Sequence, residues 1–329
     1  MKIAFIITVP IVFPGHGVVS QAMTWKKGLE SLGHEVVLAD MWKPCDWKSF
    51  DIVQIFMHSE YCADYIEAIT SVNKNIVFAP VLDPDFSINA MKCIAHWGFP
   101  KLKLSNRYYR IRKAQSLVKK FLVRSDFEAE YVQKGWCVDK KRIFKIPLSF
   151  NYTTNYSAER DSFCFHASYL ADDRKNVKRL IEAAKKYNFP LKLAGKLRSQ
   201  DELDKVMGWI GNSSNIEYMG FLTQEKLLEM YKKARAFALP SVNEGVGIVA
   251  LDAAAMGCDI VLTNYGGPKE YYDDLAFLVN PKNVDEIGSA VMEVLNGKSN
   301  QPRLQQHIVE NYSLKAVSER LVQVYEASC

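Results

Sequence analysis

Residues 236–257 read AFALPSVNEGVGIVALDAAAMG. An apolar run, Phe237–Leu239, stops at Pro240 and Ser241. A loop with one acid and two glycines follows, and then an alanine-rich run, Gly247–Met256, whose small side chains let it pack tightly. Strand, glycine loop and close-packed helix are the repeating unit of a parallel sheet covered by helices. Glu244 lies just before the helix and Asp252 eight residues on. Acids at these two places hold hydroxyls at two points of one ligand. N–H groups around Gly245, Gly247 and Ile248, at the positive end of the helix, hold phosphate between them. A sugar joined through phosphates to a ribose fits that spacing. On the residues alone, the same stretch also reads as a helix-start carboxylate plus one solvated acid.

Working outward, the pattern recurs along the chain. Lys2–Val9 reads as a strand and Ser20–Leu32 as a helix. Strands follow at Glu35–Ala39, Ile52–Phe56 and Ile76–Ala79, with a helix at Ala63–Val72. Phe121–Val123 is a strand, and Asp126–Lys134 a helix ending at Gly135. The alternation then restarts: strands at Phe163–Ala167, Leu191–Ala194, Ile216–Tyr218 and Ile260–Thr263, helices at Val177–Lys186, Gln200–Ile210 and Gln224–Ala234. Two runs predict an α/β chain of two Rossmann-like, doubly wound domains, residues 1–150 and 151–313, joined near Pro147–Arg160. Ligands of such sheets sit outside the carboxyl ends of the strands.

The chain has 329 residues, 48% hydrophobic and 24% charged, with 17 Gly and 12 Pro, which excludes collagen-like and disordered classes. No run of apolar residues is long enough to span a bilayer. The opening MKIAFIITVPIVFP has two prolines and no small-residue cleavage site, so it reads as a buried strand rather than a signal peptide. The seven cysteines are scattered, with no C-x-x-C, which points to reduced thiols in a cytoplasmic protein. Asp83-Pro84-Asp85 has the spacing of a divalent-ion motif, but the proline makes a plain turn the better reading, and no metal is expected. Pro14-Gly15-His16-Gly17 follows the first strand. It lets a backbone approach a ligand, or serves as a tight strand-to-helix turn.

Charge is uneven. The net value is +5, yet between Phe86 and Ser125 there are ten Lys and Arg and no acid, so the rest of the chain is net acidic. Trp97, Phe99, Tyr108 and Tyr109 are interleaved. Residues 92–124 are therefore expected to meet an anionic membrane surface or a phosphate-bearing acceptor, with Arg107 and Arg110 as acceptor contacts. A solvated face is the plain alternative. Nothing else supports nucleic acid.

The stretch around Glu244 and Asp252 resembles the E-x7-E region of retaining GT-B glycosyltransferases, especially family 4, the glycosyl transferases group 1. The likeness continues through Thr263–Glu270, Phe277–Pro281 and Tyr218–Leu222. It covers most of residues 120–329 and is weaker over residues 40–120. The resemblance implies a GT-B fold with a cleft and a helix near Leu314–Ala327 returning to the first domain. It implies transfer of a sugar from a UDP- or GDP-linked donor to a glycan or lipid-linked acceptor in cell-surface polysaccharide or glycolipid synthesis, on the inner face of the membrane. Glu244 would bind the donor sugar, Asp252 the ribose and Leu222 would border the base. Gly15, Gly17 and His16 would belong to the ligand loop, and Asp83 would face the reacting centre. Lys175 aligns with the diphosphate lysine. Tyr169 stands at the usual arginine, with Arg174 as its replacement. Asp252 is one methylene shorter than the family's usual Glu. These departures keep a second reading open: a non-catalytic, donor-binding subunit of a transferase complex.

Overall fold

The computed structural model describes residues 1–8, 17–40, 43–99, 105–150, 152, 154, 157 and 159–327. It divides into two compact units, Met1–Asn151 with Leu314–Cys329, and Tyr152–Ser313.

In the first unit the elements run β1 (Lys2–Ile7), α1 (Gly17–Ser31), β2 (Glu35–Leu38), β3 (Ile52–Phe56), α2 (Cys62–Thr70), β4 (Ile76–Ala79), α3 (Ile88–His96), α4 (Arg107–Ala114), β5 (Lys120–Val123), α5 (Asp126–Trp136) and β6 (Ile143–Lys145). The strands pair in parallel in the order β2-β1-β3-β4-β5-β6. β3, β4 and β5 are buried throughout, as strands covered on both faces must be. Alternate residues serve opposite layers: Ala4, Ile6, Val53, Ile55 and Phe78 meet Ile66, Met91, Ile111 and Trp136. Ile3, Phe5, Ile52 and Phe56 meet Trp25 and Leu29 of α1.

The second unit runs β7 (Asp161–Ala167), α6 (Val177–Tyr187), β8 (Leu191–Ala194), α7 (Gln200–Ile210), β9 (Ile216–Tyr218), α8 (Gln224–Lys233), β10 (Ala234–Leu239), α9 (Ile248–Ala255), β11 (Asp259–Thr263), β12 (Phe277–Val279), α10 (Val284–Leu295) and α11 (Arg303–Tyr312). Its parallel order is β12-β11-β10-β7-β8-β9. Chain direction across the sheet reverses between β7 and β10, so the loops leaving those two strands part there and leave a crevice.

The last helix, α12 (Leu314–Glu326), belongs to the first unit. Val317, Leu321 and Tyr325 are fully buried beside Trp25 and Leu29. The Tyr325 hydroxyl donates to Gln54 Oε1 at 2.7 Å, and Lys120 Nζ donates to the Val324 carbonyl at 2.6 Å. Contact with α1 is closest at Gly28, where a Cβ would stand 1.8 Å from Ser318 Oγ.

Two local expectations are corrected. The helix predicted to stop at Gly135 continues to Trp136, and Cys137 takes the left-handed end position at φ 59°. Gly135 instead lets α5 approach α3, since its Cβ would lie 2.8 Å from Met91 Sδ. The basic stretch, expected to meet an anionic surface or acceptor and given no helices, contains α3 and α4, capped by Ser87 and Asn106.

Candidate functional site

In the second unit the crevice lies at the carboxyl ends of β7 and β10. After β7 the chain makes a short 3-10 turn, Asp173–Lys175, capped by Asp172. After β10, Pro240 and Ser241 lead into the loop carrying Glu244. A backbone hydrogen bond, Val242 N–H to the Arg174 carbonyl at 2.9 Å, ties the two loops. Across this tie Lys175 Nζ meets Glu244 Oε2 at 2.5 Å, and Ser241 Oγ donates to the same oxygen at 3.2 Å. The pair is mostly sheltered, with 19% and 14% of the two side chains exposed, so it is screened less than a surface ion pair. Lys175 and Glu244, assigned separately to phosphate and sugar, are thus brought together.

Glycine is required twice here. Gly247, at φ 75°, precedes α9, and its Cβ would stand 2.9 Å from Leu239 Cδ2. Gly266, at φ 83°, sits 3.0 Å from the Glu244 carbonyl oxygen by the same measure, which lets the loop after β11 support the acid from behind. α9 begins at Ile248 with no side-chain cap. Its first N–H groups therefore lack the usual oxygen acceptor and form an anion-attracting end beside Lys175 and Glu244. Gly245 and Gly247 are buried, and Ile248 is half-buried at this same turn.

Asp252 lies one turn further along α9 and is buried. Desolvation pushes its carboxyl up to about 7. Among the described residues it has no hydrogen-bond donor. A buried carboxylate without donors is costly. Arg174 departs from its expected place: its guanidinium lies on Asp172, with Nη2 to Oδ2 at 2.8 Å, and is more than half exposed. Tyr169, at the position expected for arginine, donates to Glu202 and lies under the Arg198 guanidinium, 4.4 Å from its ring centre. Leu222 is half-buried on the loop after β9, two strands from β7, with Phe221 exposed beside it.

Two structural members of this site escaped the sequence reading. Asn176, left-handed at φ 60°, donates its buried Nδ2 to the Pro240 and Pro281 carbonyls at 2.8 and 2.6 Å, pinning the loops after β7, β10 and β12 together. His166 in β7 contacts the Ala238 carbonyl through Nδ1 and Ser168 Oγ through Nε2, both at 2.7 Å. Burial brings its pKa down to about 4 despite that carbonyl contact, so the imidazole is neutral.

In the first unit, Gly15 and His16 lie outside the described residues, while Gly17 opens α1. Asp83 follows β4 and is held by Arg124, Nη2 to Oδ1 at 2.6 Å. Glu128 accepts from Arg124 and from the Leu82 amide at 2.7 Å. His58, passed over in the sequence, lies just after β3 with Nδ1 at 2.9 Å from the Pro80 carbonyl. Nδ1 therefore carries the proton, and burial lowers the pKa to about 4. Its backbone enters through Met57 in the left-handed region at φ 76°.

The basic run is not one free face. Arg110 pairs with Asp64, Arg107 lies 3.8 Å from Glu60, Lys120 and Arg124 are buried, and Arg112 Nε donates to the Ala95 carbonyl. Among the described residues no helix is long and apolar enough to cross a membrane.

Residues 159–312 match the family described as glycosyl transferases group 1. An uncharacterised glycosyltransferase of Methanocaldococcus jannaschii is 30% identical over 163 residues, covering 46% of this chain and 42% of that protein. The O-antigen chain mannosyltransferase B of Escherichia coli is 28% identical over 41% of this chain and 38% of its own length. The matched stretch thus spans about two-fifths of these relatives. Among solved structures, sucrose-phosphate synthase of Thermosynechococcus elongatus superposes with a TM-score of 0.77 at 13% identity, covering 99% of both chains. Anabaena HepE in complex with UDP and glucose superposes at 0.73 and 13% identity, covering 99% of this chain and 100% of that one. The chain has the GT-B fold.

Proposed function

We propose that the protein is a retaining glycosyltransferase that moves a hexose from a UDP- or GDP-linked donor to a glycan or lipid-linked acceptor, without a metal, in cell-surface polysaccharide or glycolipid synthesis. The observation that carries this reading is the Lys175–Glu244 pair beside the uncapped start of α9, where β7 and β10 diverge. The matches to group 1 transferases over residues 159–312 support it.

The chemistry follows from charge. Breaking the bond between the sugar carbon and the diphosphate oxygen leaves negative charge on the diphosphate and positive character on the sugar. Lys175 and the α9 N–H groups receive the diphosphate charge. Placed before departure occurs, they stabilise the separated state more than the bound donor, which is what lowers a barrier. Glu244 accepts hydrogen bonds from the donor sugar. Asp252 takes the ribose hydroxyls and exchanges an undonated burial for paired contacts. With no residue assigned as a covalent nucleophile, the acceptor oxygen attacks from the leaving-group face, and its proton passes to the departing phosphate oxygen. Acceptor recognition falls to the first unit, with Asp83, Arg107 and Arg110 as its candidate contacts and the exposed side chains of residues 92–124 facing an anionic membrane surface in the cytoplasm.

The test is turnover of UDP- and GDP-sugars by the purified chain, with chelator present, beside Glu244→Ala. Donor hydrolysis or transfer is expected in the wild type, with a loss of about a hundredfold or more in the variant and an unchanged far-UV spectrum. Wild-type turnover in Glu244→Ala would discredit the role of Glu244. Donor binding without turnover would favour a donor-binding subunit.

A further inference from the structure

We propose that the chain just after α3 is a membrane-docking wedge: Trp97 and Phe99 enter the interface of an anionic bilayer, while Lys92 and Lys113 rest on its headgroups. The inference deepens, and rests on, the reading of residues 92–124 as membrane-facing. It does not depend on glycosyl transfer.

The structure narrows that long segment to a small part of itself. Lys120 and Arg124 are buried, and Arg107 and Arg110 are engaged by the acids Glu60 and Asp64, just before and within α2. Tyr109 and Ile111 are core residues, and Tyr108 packs against His58, Phe86 and Trp136. Among the described residues, one pair of aromatics stands outward together. Trp97 is 58% exposed and Phe99 53%, and their rings stand edge to face 5.9 Å apart, with Ile94 exposed one turn before. Lys92 and Lys113 are exposed on α3 and α4. A single exposed apolar side chain needs no explanation. Two large aromatics in contact, both outward, form the kind of patch that meets a partner.

The pair is also held in place. Asn106 Nδ2 donates to the Ile94 and Trp97 carbonyls at 3.0 and 3.2 Å, while its Oδ1 caps α4 at the Tyr109 amide, 3.0 Å away. Gly98 lies flat on the Tyr109 ring, since a Cβ there would stand 2.8 Å from ring carbons. The backbone under both aromatics is thereby fixed to α3 and α4, and less ordering remains to be done on docking. Lys113 and Arg112 lie over the same Tyr109 ring, at 5.7 and 5.9 Å, which keeps positive charge at the base of the wedge.

A bilayer interface suits this surface better than a protein groove. Trp settles at headgroup depth, where one end is apolar and the other wet. Lysines add attraction to anionic lipid, and the span between Phe86 and Ser125 contains no acid to repel it. Insertion needs depth and charge rather than a matching shape.

The test is co-sedimentation of the full chain with phosphatidylcholine vesicles, with and without about one-third phosphatidylglycerol, using wild type, Trp97→Ala/Phe99→Ala and Lys92→Glu/Lys113→Glu. Wild type should bind the anionic vesicles at low salt. The aromatic double variant should partition at least about tenfold more weakly and keep its binding loss in low salt. The lysine variant should lose the preference for phosphatidylglycerol. Both variants alter exposed side chains and should melt like the wild type. If Trp97→Ala/Phe99→Ala binds like the wild type, the wedge is wrong while the membrane-facing segment stands on its charges. If wild type ignores anionic vesicles, both fall, and so they do if a single-stranded oligonucleotide, not the vesicles, is what the aromatic variant loses.

Discussion

Asp252 carries a consequence that can be measured without substrate. Its carboxyl titrates near 7 in the folded chain because burial disfavours the charge, against an ordinary value of 3.8. Between those values the folded protein holds a proton that the unfolded chain has released. Stability therefore falls as pH rises through that window and stays low above it. Asp252→Asn should flatten this slope and raise the melting temperature at pH 8, by an amount corresponding to a few kcal/mol, while weakening nucleotide binding. Thermal melts from pH 5 to 8 check the first outcome and calorimetric titration with UDP and GDP the second. A variant with the wild-type slope would mean that another group sets it. At this scale the turn that brings Lys175 to Glu244 and the glycine before α9 could be read locally, because an acid, a cation and glycines at strand ends are local signals. Asn176 was not. It looks like any residue before a helix, and its meaning comes from Pro240 and Pro281, 64 and 105 residues away. His58 was hidden for a similar reason, since only the fold brings it to the Pro80 carbonyl. Arg174 shows the opposite failure. Its place in the sequence suggested a phosphate contact, but the nearer Asp172 holds its guanidinium.

Between elements, packing turns on glycine more than the sequence suggested. Gly28 lets α1 lie against α12, and its missing Cβ would overlap Ser318 Oγ and reach 3.0 Å from Leu314 Cδ1. Gly28→Val should cost about 1–3 kcal/mol through overpacking, seen as a lower melting temperature by circular dichroism, with nucleotide binding by the second unit intact. A neutral result would mean that the two helices separate easily. Most strands were readable, Ile52–Phe56, Ile76–Ala79 and Leu191–Ala194 to the residue, because short, mostly buried apolar runs between turns have few other readings. α3 and α4 were not. In α4, RYYRIRKA, only Tyr109, Ile111 and Ala114 are buried, so charge obscured the apolar stripe. The caps Ser87 and Asn106 were the signals available. Gly135 was read as a stop because a helix-ending glycine and a helix-packing glycine look alike until the neighbouring helix is known.

For the whole molecule, the two units differ in how the chain builds them. The second is one continuous run, Tyr152–Ser313, holding Lys175, Glu244 and Asp252 together. The first is split, and α12 covers part of its sheet layer with Val317, Leu321 and Tyr325. A chain ending at Ser313 should therefore keep nucleotide affinity and lose stability in the first unit, with a new low-temperature melting step and binding of a hydrophobic dye. An unchanged melt would show that α12 is dispensable. The alternation of strands and helices made the two-fold organisation readable, whereas the strand orders emerged only in three dimensions, since sequence gives succession and not adjacency. The discontinuity also has a temporal side. On the ribosome, residues 1–151 emerge and must wait while 162 further residues, Tyr152–Ser313, are synthesised before α12 arrives to cover them. The earliest-made half is thus the last to be finished, and a chain ended before Leu314 leaves the apolar side chains around Trp25 and Leu29 uncovered.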